Sequence, residues 1–514
     1  SEGKTSEGKT SEGKTSEGKT SEGTEKLGEW RTAAHRLLRV KLEGGIFMCA
    51  VKKKLAALML AAAMVLALFP AVLAEGDTLA DAPSLWVKPG TTTQEDINEL
   101  WGEGTVEYTQ NADGSYTMKL LKNISMAISA NISLGNQFGG AGDPMIILDL
   151  NGFDITGTSI VIANYANLTI RDSSAEKSGR VVYDGGAYMA AVNNVGHYMA
   201  VEGGTFVCNG AGSATYNAAI STAASVTTEI KGGTFEGGSA GAVISYGSTI
   251  ISGGEFNGKY GVVSKVNTDG SVQGNIEFPA GSTAVVNATD IAFVSQGEAE
   301  KGGTIKVEGG TFHAPAVLGT LGAPGEKTSL LTVTGGTHGA DPSSYVPDGG
   351  DVAGITPNGG DAVYYVGEQL IADKAAGTQP GDKLDVKKGD VNLSDVPGGV
   401  EVTNSGSGSV TVNGTDVPAG GQVTVCAHTW GAPAWNWAAD YSGATANFTC
   451  TKNAAHTKAV AASVTSEKRG NDTVYTASVT LEGTVYTDQK VVAGEAPAVP
   501  SAPSAGKPNP KTGV

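Results

Sequence analysis

The chain of 514 residues carries 52 acidic against 35 basic side chains, a net charge of −17, with 74 glycines and 6% aromatic residues. That balance argues against nucleic acid and anionic lipid surfaces as partners, because both repel an acidic protein. Only Cys208, Cys426 and Cys450 lie beyond the export signal described below. Three cysteines exclude a disulfide-stapled scaffold, so stability must come from packing and backbone pairing.

The first segment is a tandem of SEGKT. Gly3 to Thr10 fits the spacing G-x-x-x-x-G-K-[ST] of a phosphate-cradling loop, and overlapping copies begin at Gly8 and Gly13. Such a loop needs an apolar strand before it and a helix after it. Neither is present, and the pentapeptide has nothing apolar to bury. Residues 1–47 are therefore expected to be disordered low-complexity sequence that binds no nucleotide.

Residues 48–75 have the layout of a secretory signal. Lys52, Lys53 and Lys54 precede an apolar run from Leu55 to Leu73, and Val72 and Ala74 are the small residues that place a cut between Ala74 and Glu75. A signal peptide belongs at an N-terminus, which points to translation starting at Met48. Glu43-Gly44-Gly45 is compatible with a ribosome-binding site read as codons, so the segment before Met48 reads as upstream mistranslation. Beyond the cut the net charge is about −21. An acidic, solvated surface accounts for it without a cationic ligand.

Residues 75–114 read as an N-terminal cap. Within them Thr91 to Trp101 predicts a short amphipathic helix, opened by Thr or Gln, with Ile97, Leu100 and Trp101 on one face. Such a helix would cover a sheet edge that otherwise invites aggregation.

A repeat follows. VEGGTF (Val201 to Phe206) recurs as IKGGTF (Ile230 to Phe235), ISGGEF (Ile251 to Phe256), VEGGTF (Val307 to Phe312) and VTGGTH (Val333 to His338). One interval is double the others and predicts a degenerate copy between Phe256 and Phe312. Alternation such as Ile305 and Val307 against Lys306 and Glu308 gives each strand one apolar face, and the paired glycines allow a turn. One unit cannot bury its face alone, whereas stacked copies can. The four phenylalanines are expected to point inward. With ILDLNGFDITG (Ile147 to Gly157), ANLTIRDSS (Ala166 to Ser174) and SSYVPDG (Ser343 to Gly349), this stretch resembles the right-handed parallel β-helix, or pectin-lyase-like fold, of bacterial surface proteins. The resemblance covers about residues 115–345, with a β-rich continuation over 346–426. It implies an all-β chain: a right-handed parallel β-helix followed by a small β-rich C-terminal module.

Many such relatives cleave acidic polysaccharides, which takes a carboxylate cluster for calcium with a basic residue, or paired carboxylates. Asp149, Asp154, Asn151, Arg171 and Asp172 offer the nearest such cluster. Asn151-Gly152 reads as a turn and Arg171 with Asp172 as an exposed structural pair, which is the better reading. Gly196-His197 continues with Tyr198, not Gly, and GGAGD (Gly139 to Asp143) misses the calcium-binding GGxGxD spacing by one residue. No catalytic residue and no cofactor is assigned.

From Cys426 the texture changes. CAHTWGAPAWNWAADYSGATANFTC gathers Trp430, Trp435, Trp437 and Tyr441, and Val474 to Val492 predicts a hairpin. Residues 427–492 resemble the small C-terminal modules of clostridial surface proteins, which often carry a second Cys where Asn453 stands here. Cys426, His428, Cys450 and His456 could supply a tetrahedral zinc set. A Cys426–Cys450 disulfide or two free thiols are equally open, and together outweigh zinc. The Trp cluster would suit sugar rings, but aromatics in so small a module more often form its core.

Residues 493–514 are a Pro-rich spacer ending in Asn509, Pro510, Lys511, Thr512 and Gly513, similar to the LPxTG-type sorting signal of Gram-positive bacteria. The resemblance implies sortase cleavage after Thr512, attachment to peptidoglycan, and a native reading frame that continues past Val514 into an apolar span and basic tail. The sequence thus reads as an extracellular, wall-attached adhesin or stalk for glycan or host contact. A wall-anchored polysaccharide lyase or hydrolase on the same fold is the alternative, and a purely structural spacer the third reading.

Overall fold

The computed structural model describes residues 78–494 apart from 138–139, 141, 187–188, 211–216, 239–240, 266–272, 296–302, 321–322 and 325–330. The repeat, the continuation and the C-terminal module fall inside this range. The SEGKT tandem, the export signal with Ala74 and Glu75, and the motif Asn509 to Gly513 lie outside the described residues.

The described chain is mostly β, built on long parallel sheets and compatible with an all-β solenoid. Three ladders carry it. The first pairs Tyr116–Leu120 with Met145–Asp149, then Asn167–Arg171, Tyr198–Val201, Thr227–Ile230, Ser248–Ile251, Asn275–Phe278, Thr304–Val307 and Leu331–Val333, all parallel. The second runs in parallel from Thr78–Ala82 through Asn123–Met126, Ile155–Gly157, Arg180–Tyr183, Thr205–Cys208 and Thr234–Glu236 to Gly336–His338. The third runs from Leu85–Val87 through Ile132–Leu134, Ile162–Asn164, Ala190–Asn194, Ala218–Thr222 and Gly241–Ser245 to Ala316–Thr320. The chain visits the three ladders in constant order, one rung at a time.

The ladders begin at Thr78, ahead of the position near 115 expected from the repeat. The first two strands, TLADA and LWV, are too short and irregular to show the repeat pattern. The expected helix, α1 (Gln94–Trp101), follows them. Thr93 caps it: its hydroxyl accepts from the Asp96 N–H, and the Asp96 carboxylate accepts from the Thr93 N–H at 2.8 Å. Ile97 and Trp101 are buried, and the Trp101 indole donates to the Pro83 carbonyl at 2.9 Å. Leu100, expected on the same face, is 43% exposed. An eight-residue helix seats only the narrow stripe of positions four apart.

The phenylalanines do point inward. Phe206, Phe235, Phe256, Val286, Phe312 and His338 are successive partners in register, all nearly or fully buried. Phe206 stacks on Phe235 at 5.2 Å and Phe235 on Phe256 at 4.8 Å, with the rings nearly parallel in both cases. Val286 occupies the degenerate rung. Phe278 and Phe293 lie close to Phe312, at 5.1 and 4.7 Å, and supply bulk near it. The second glycine of each pair has positive φ, for example +104° at Gly233 and +103° at Gly254. A Cβ on Gly233 would meet the Gly204 carbonyl oxygen at 2.8 Å, the same carbonyl that accepts from the Thr234 N–H, so both conformation and rung spacing require glycine.

A second interior column has no counterpart in the repeat pattern. Leu134, Asn164, Asn194, Thr222, Ser245, Ser264 and Ser295 are successive partners in the third ladder. From Asn164 onward every member is buried. The Asn164 amide donates to the Asn194 carbonyl oxygen at 2.8 Å, and the Asn194 amide to the Thr228 hydroxyl at 2.9 Å. Thr222 donates to Thr228 at 2.8 Å, and Thr249 bonds both Thr222 and Ser245. From Asn164 to Ser245 the column is a hydrogen-bonded thread through Thr228 and Thr249, and the Ser264 and Ser295 hydroxyls donate to the Gly274 and Gly303 carbonyls.

His338 ends the aromatic column, stacked on Phe312 at 5.0 Å, with Nε2 bonded to the Gly335 carbonyl at 3.1 Å. Burial pushes its pKa down to about 4, with the Gly335 bond opposing. The unfolded chain takes up this proton near pH 6.5 and the folded chain only near 4. Stability present above pH 6.5 should therefore be lost as pH falls toward 4, by about 3 kcal/mol in all. Urea unfolding of wild type and His338→Phe across this range tests it. The variant should lose that part of the pH dependence, and parallel profiles would contradict the assignment.

Past His338 the sheet turns antiparallel. Gly336–His338 pairs with Val363–Val366, which pairs with Val352–Thr356, and that strand pairs with Lys383–Lys388. With α2 (Glu368–Ala376) and later strands these residues enclose a separate core of Ile371, Leu384, Val386, Val402, Val412 and their neighbours. The continuation over 346–426 is thus β-rich, as expected, but packs on its own core. The C-terminal module is a five-stranded antiparallel sheet of Ala434–Trp437, Ala444–Thr449, Thr457–Arg469, Asp472–Leu481 and Thr484–Val492, the last two forming the expected hairpin. Among the described residues no helix is long and apolar enough to cross a membrane.

Candidate metal centre

Cys426, His428, Cys450 and His456 meet at the start of the C-terminal module. Strand Ala444–Thr449 delivers Cys450, which bridges to Trp430. The segment before the sheet is laced to that strand's end: the Gly431 N–H donates to the Thr449 carbonyl at 3.0 Å and the Thr451 N–H to the Thr429 carbonyl at 2.8 Å. This pairing brings Cys426 and His428 alongside Cys450. A tight turn then returns the chain, with the His456 N–H donating to the Asn453 carbonyl at 3.0 Å and the Cys450 N–H to the His456 carbonyl at 2.9 Å. The turn fixes His456 beside Cys450.

The four ligand atoms lie within 4.8 Å of one another. The two sulfurs are 3.9 Å apart and both thiols are free. The imidazoles of His428 and His456 meet edge to face at 4.9 Å, and His428 stacks on Trp430 at 4.7 Å. His456 Nε2 lies 3.3 Å from the Asn453 amide nitrogen, while its Nδ1 is buried and without a hydrogen-bond partner among the described residues. Desolvation pushes the Cys450 thiol up, but hydrogen bonds from His428 and from the backbone at Thr429, Lys452 and Asn453 outweigh it and hold the group well below the ordinary thiol value. Desolvation and the neighbouring Cys450 sulfur push Cys426 up. One sulfur thus sits in a thiolate-stabilising nest.

The tryptophans of the module are half-buried, and Trp437 and Tyr441 contact each other instead of the core cluster. Trp430 and Trp435 pack against Ala446, Phe448, Val479 and Leu481. The indoles of Trp430 and Trp437 donate to Glu482 and Asp488, at 2.9 and 2.8 Å.

The carboxylates considered for catalysis are engaged structurally. Asp149 pairs with Arg171 at 3.1 Å and accepts from the Asn151 and Ser173 N–H groups. Burial raises its pKa, but these bonds and the Arg171 charge outweigh that and hold it below the usual carboxylate value, the reverse of what a general acid needs. Asp172 accepts from the N–H groups of Gly152, Ser174 and Gly179, and Asp154 pairs with Arg180 at 2.6 Å. Beside them lies an open cleft of about 360 Å³ lined by Arg171, Asp172, Ser173, Lys177, Glu202 and Gly203. Gly139 and Ala141, from the GGAGD string, lie outside the described residues.

The signal for the metal centre was visible as residue types, but not the outer contacts: the Asn453 side chain, the backbone around Cys450 and the Trp430 ring. The chain matches no protein-family model, and no curated protein or solved structure matches it.

Proposed function

We propose that the chain is an exported, wall-attached surface protein of a Gram-positive bacterium, whose ladders form a right-handed parallel β-helix that works as a stalk or adhesin for glycan or host contact. The observation that carries this reading is the pair of interior columns, mostly phenylalanine along one ladder and amide–hydroxyl along another. Each rung is tied to the next by backbone pairing, and several also by stacked rings or side-chain hydrogen bonds, which gives a stiff element. At about 4.8 Å per strand its ten-stranded sheet extends roughly 40 Å. An export signal before such an element and a Pro-rich spacer with Asn509 to Gly513 after it suit a tethered, displayed rod. The engagement of Asp149, Asp154 and Asp172 in structural bonds favours display over polysaccharide cleavage.

Attachment is tested by fractionating cells that carry the complete gene, with and without Thr512→Ala. Wall-linked protein that survives boiling in detergent should appear only with Thr512 intact, and equal release of both versions into the medium would defeat sorting. A glycan array followed by product analysis tests the contact role. Binding without turnover is the expected outcome, and release of unsaturated or reducing ends would replace the adhesin with the enzyme.

A further inference from the structure

We propose that Cys426, His428, Cys450 and His456 bind one zinc ion as a closed structural site that clips the start of the C-terminal module to its sheet. Four tetrahedral ligands at Zn–S of about 2.3 Å and Zn–N of about 2.0 Å place the two sulfurs about 3.8 Å apart and the mixed edges near 3.5 Å. The sulfurs here are 3.9 Å apart, and all four donor atoms fall within 4.8 Å. An ion therefore needs movements on the order of an ångström, within the reach of side-chain torsions.

Three further features separate zinc from a disulfide. A disulfide needs only the two sulfurs, yet both imidazoles converge on the same point. With Nε2 of His456 facing Asn453, the nitrogen left for a ligand is Nδ1, which is buried and has no hydrogen-bond partner among the described residues. The Asn453 amide oxygen accepts from the Ala455 N–H, which turns the amide N–H toward Nε2 as its donor; an ion at Nδ1 therefore moves the ring proton to Nε2 and releases this contact. Finally, His428 is held by its stack on Trp430, and Cys450 and His456 by the turn at Asn453. Ligands fixed by their surroundings suit a closed four-protein-ligand site, which leaves no open position for catalysis.

The site holds together segments distant in sequence. Cys426 and His428 precede the first strand of the module, and Cys450 and His456 flank the turn between its second and third strands. The module's hydrophobic cluster is small, with Ala446, Phe448, Val479 and Leu481 as its fully enclosed members. A clip of this kind adds what so small a core lacks.

The test uses the full chain, purified under reductant, stripped with chelator, then titrated with cobalt(II) and zinc(II). One cobalt per chain should bind, with a sulfur-to-metal charge-transfer band in the near ultraviolet and the intense visible bands of a four-coordinate ion. One equivalent of zinc should abolish both. Cys450→Ser and His456→Ala should each weaken zinc binding by more than about a hundredfold, beyond the loss expected from removing an outer contact. Cys208→Ala should bind as wild type. His456 lies on the module's surface turn, so its variant keeps the test readable if Cys450→Ser fails to fold. Absence of the charge-transfer band, wild-type affinity in His456→Ala, or a chain isolated with zinc but two hydrogens lighter through a Cys426–Cys450 disulfide would each overturn the proposal.

Discussion

Replacing Phe235 with alanine should cost about 3–5 kcal/mol. The ring lies fully buried between Phe206 and Phe256, 5.2 and 4.8 Å away and nearly parallel to both. Collapse into the gap is blocked because the strands on either side are held at ladder spacing by their own register, Phe206 with Phe235 and Phe235 with Phe256. The neighbours therefore keep their positions and the cavity persists, which is the expensive case. Phe235→Leu should recover much of the loss. The degenerate rung shows what toleration of a smaller residue involves: Val286 takes the position, with the rings of Phe278 and Phe293 gathered around the next rung's Phe312. Among the described residues, the rings stacked at Phe235 are those of its own column, Phe206 and Phe256. Denaturant unfolding measures the effect, and a loss under about 1 kcal/mol would mean the ring carries little of the packing.

Asn194→Leu should be destabilising by about 3 kcal/mol, although it buries more apolar surface. Asn194 accepts from Asn164 and donates to the Thr228 hydroxyl and the Thr227 carbonyl. Leucine removes all three bonds and leaves their partners in a buried site. The first rung of this column is itself a leucine, Leu134, in register with Asn164. A leucine suits that end because the bonded thread begins one rung later. Thr222→Val should cost less, about 1 kcal/mol, since Thr249 and Thr228 retain other partners in the column. A variant Asn194→Leu as stable as wild type would show that the column contributes packing alone. Thermal unfolding of the three chains side by side makes the comparison.

The sequence by itself determined the strand repeat and its interior phenylalanines. Alternation and the GG turn are local, so Val-Glu-Gly-Gly-Thr-Phe specifies an inward ring and a left-handed glycine wherever it occurs, and Gly204, Gly233, Gly254 and Gly310 all have positive φ. The helix cap at Thr93 and the hairpin of Val474 to Val492 were legible for the same reason. Tertiary structure alone decided the rest. Asn164, Asn194, Thr222, Ser245 and Ser264 keep neither one residue type nor a constant spacing, so only the register of the third ladder reveals them as one column. Leu100 looked buried by helical phase, but what packs against a helix decides how wide its covered stripe is. The metal centre lies between these cases. Its four residue types were plain in the chain, but whether Cys426 and His428 reach Cys450 and His456 depends on the pairing of Trp430 with Cys450 and on the turn at Asn453. Pairing between separate segments follows from how the strands assemble, which no local pattern encodes.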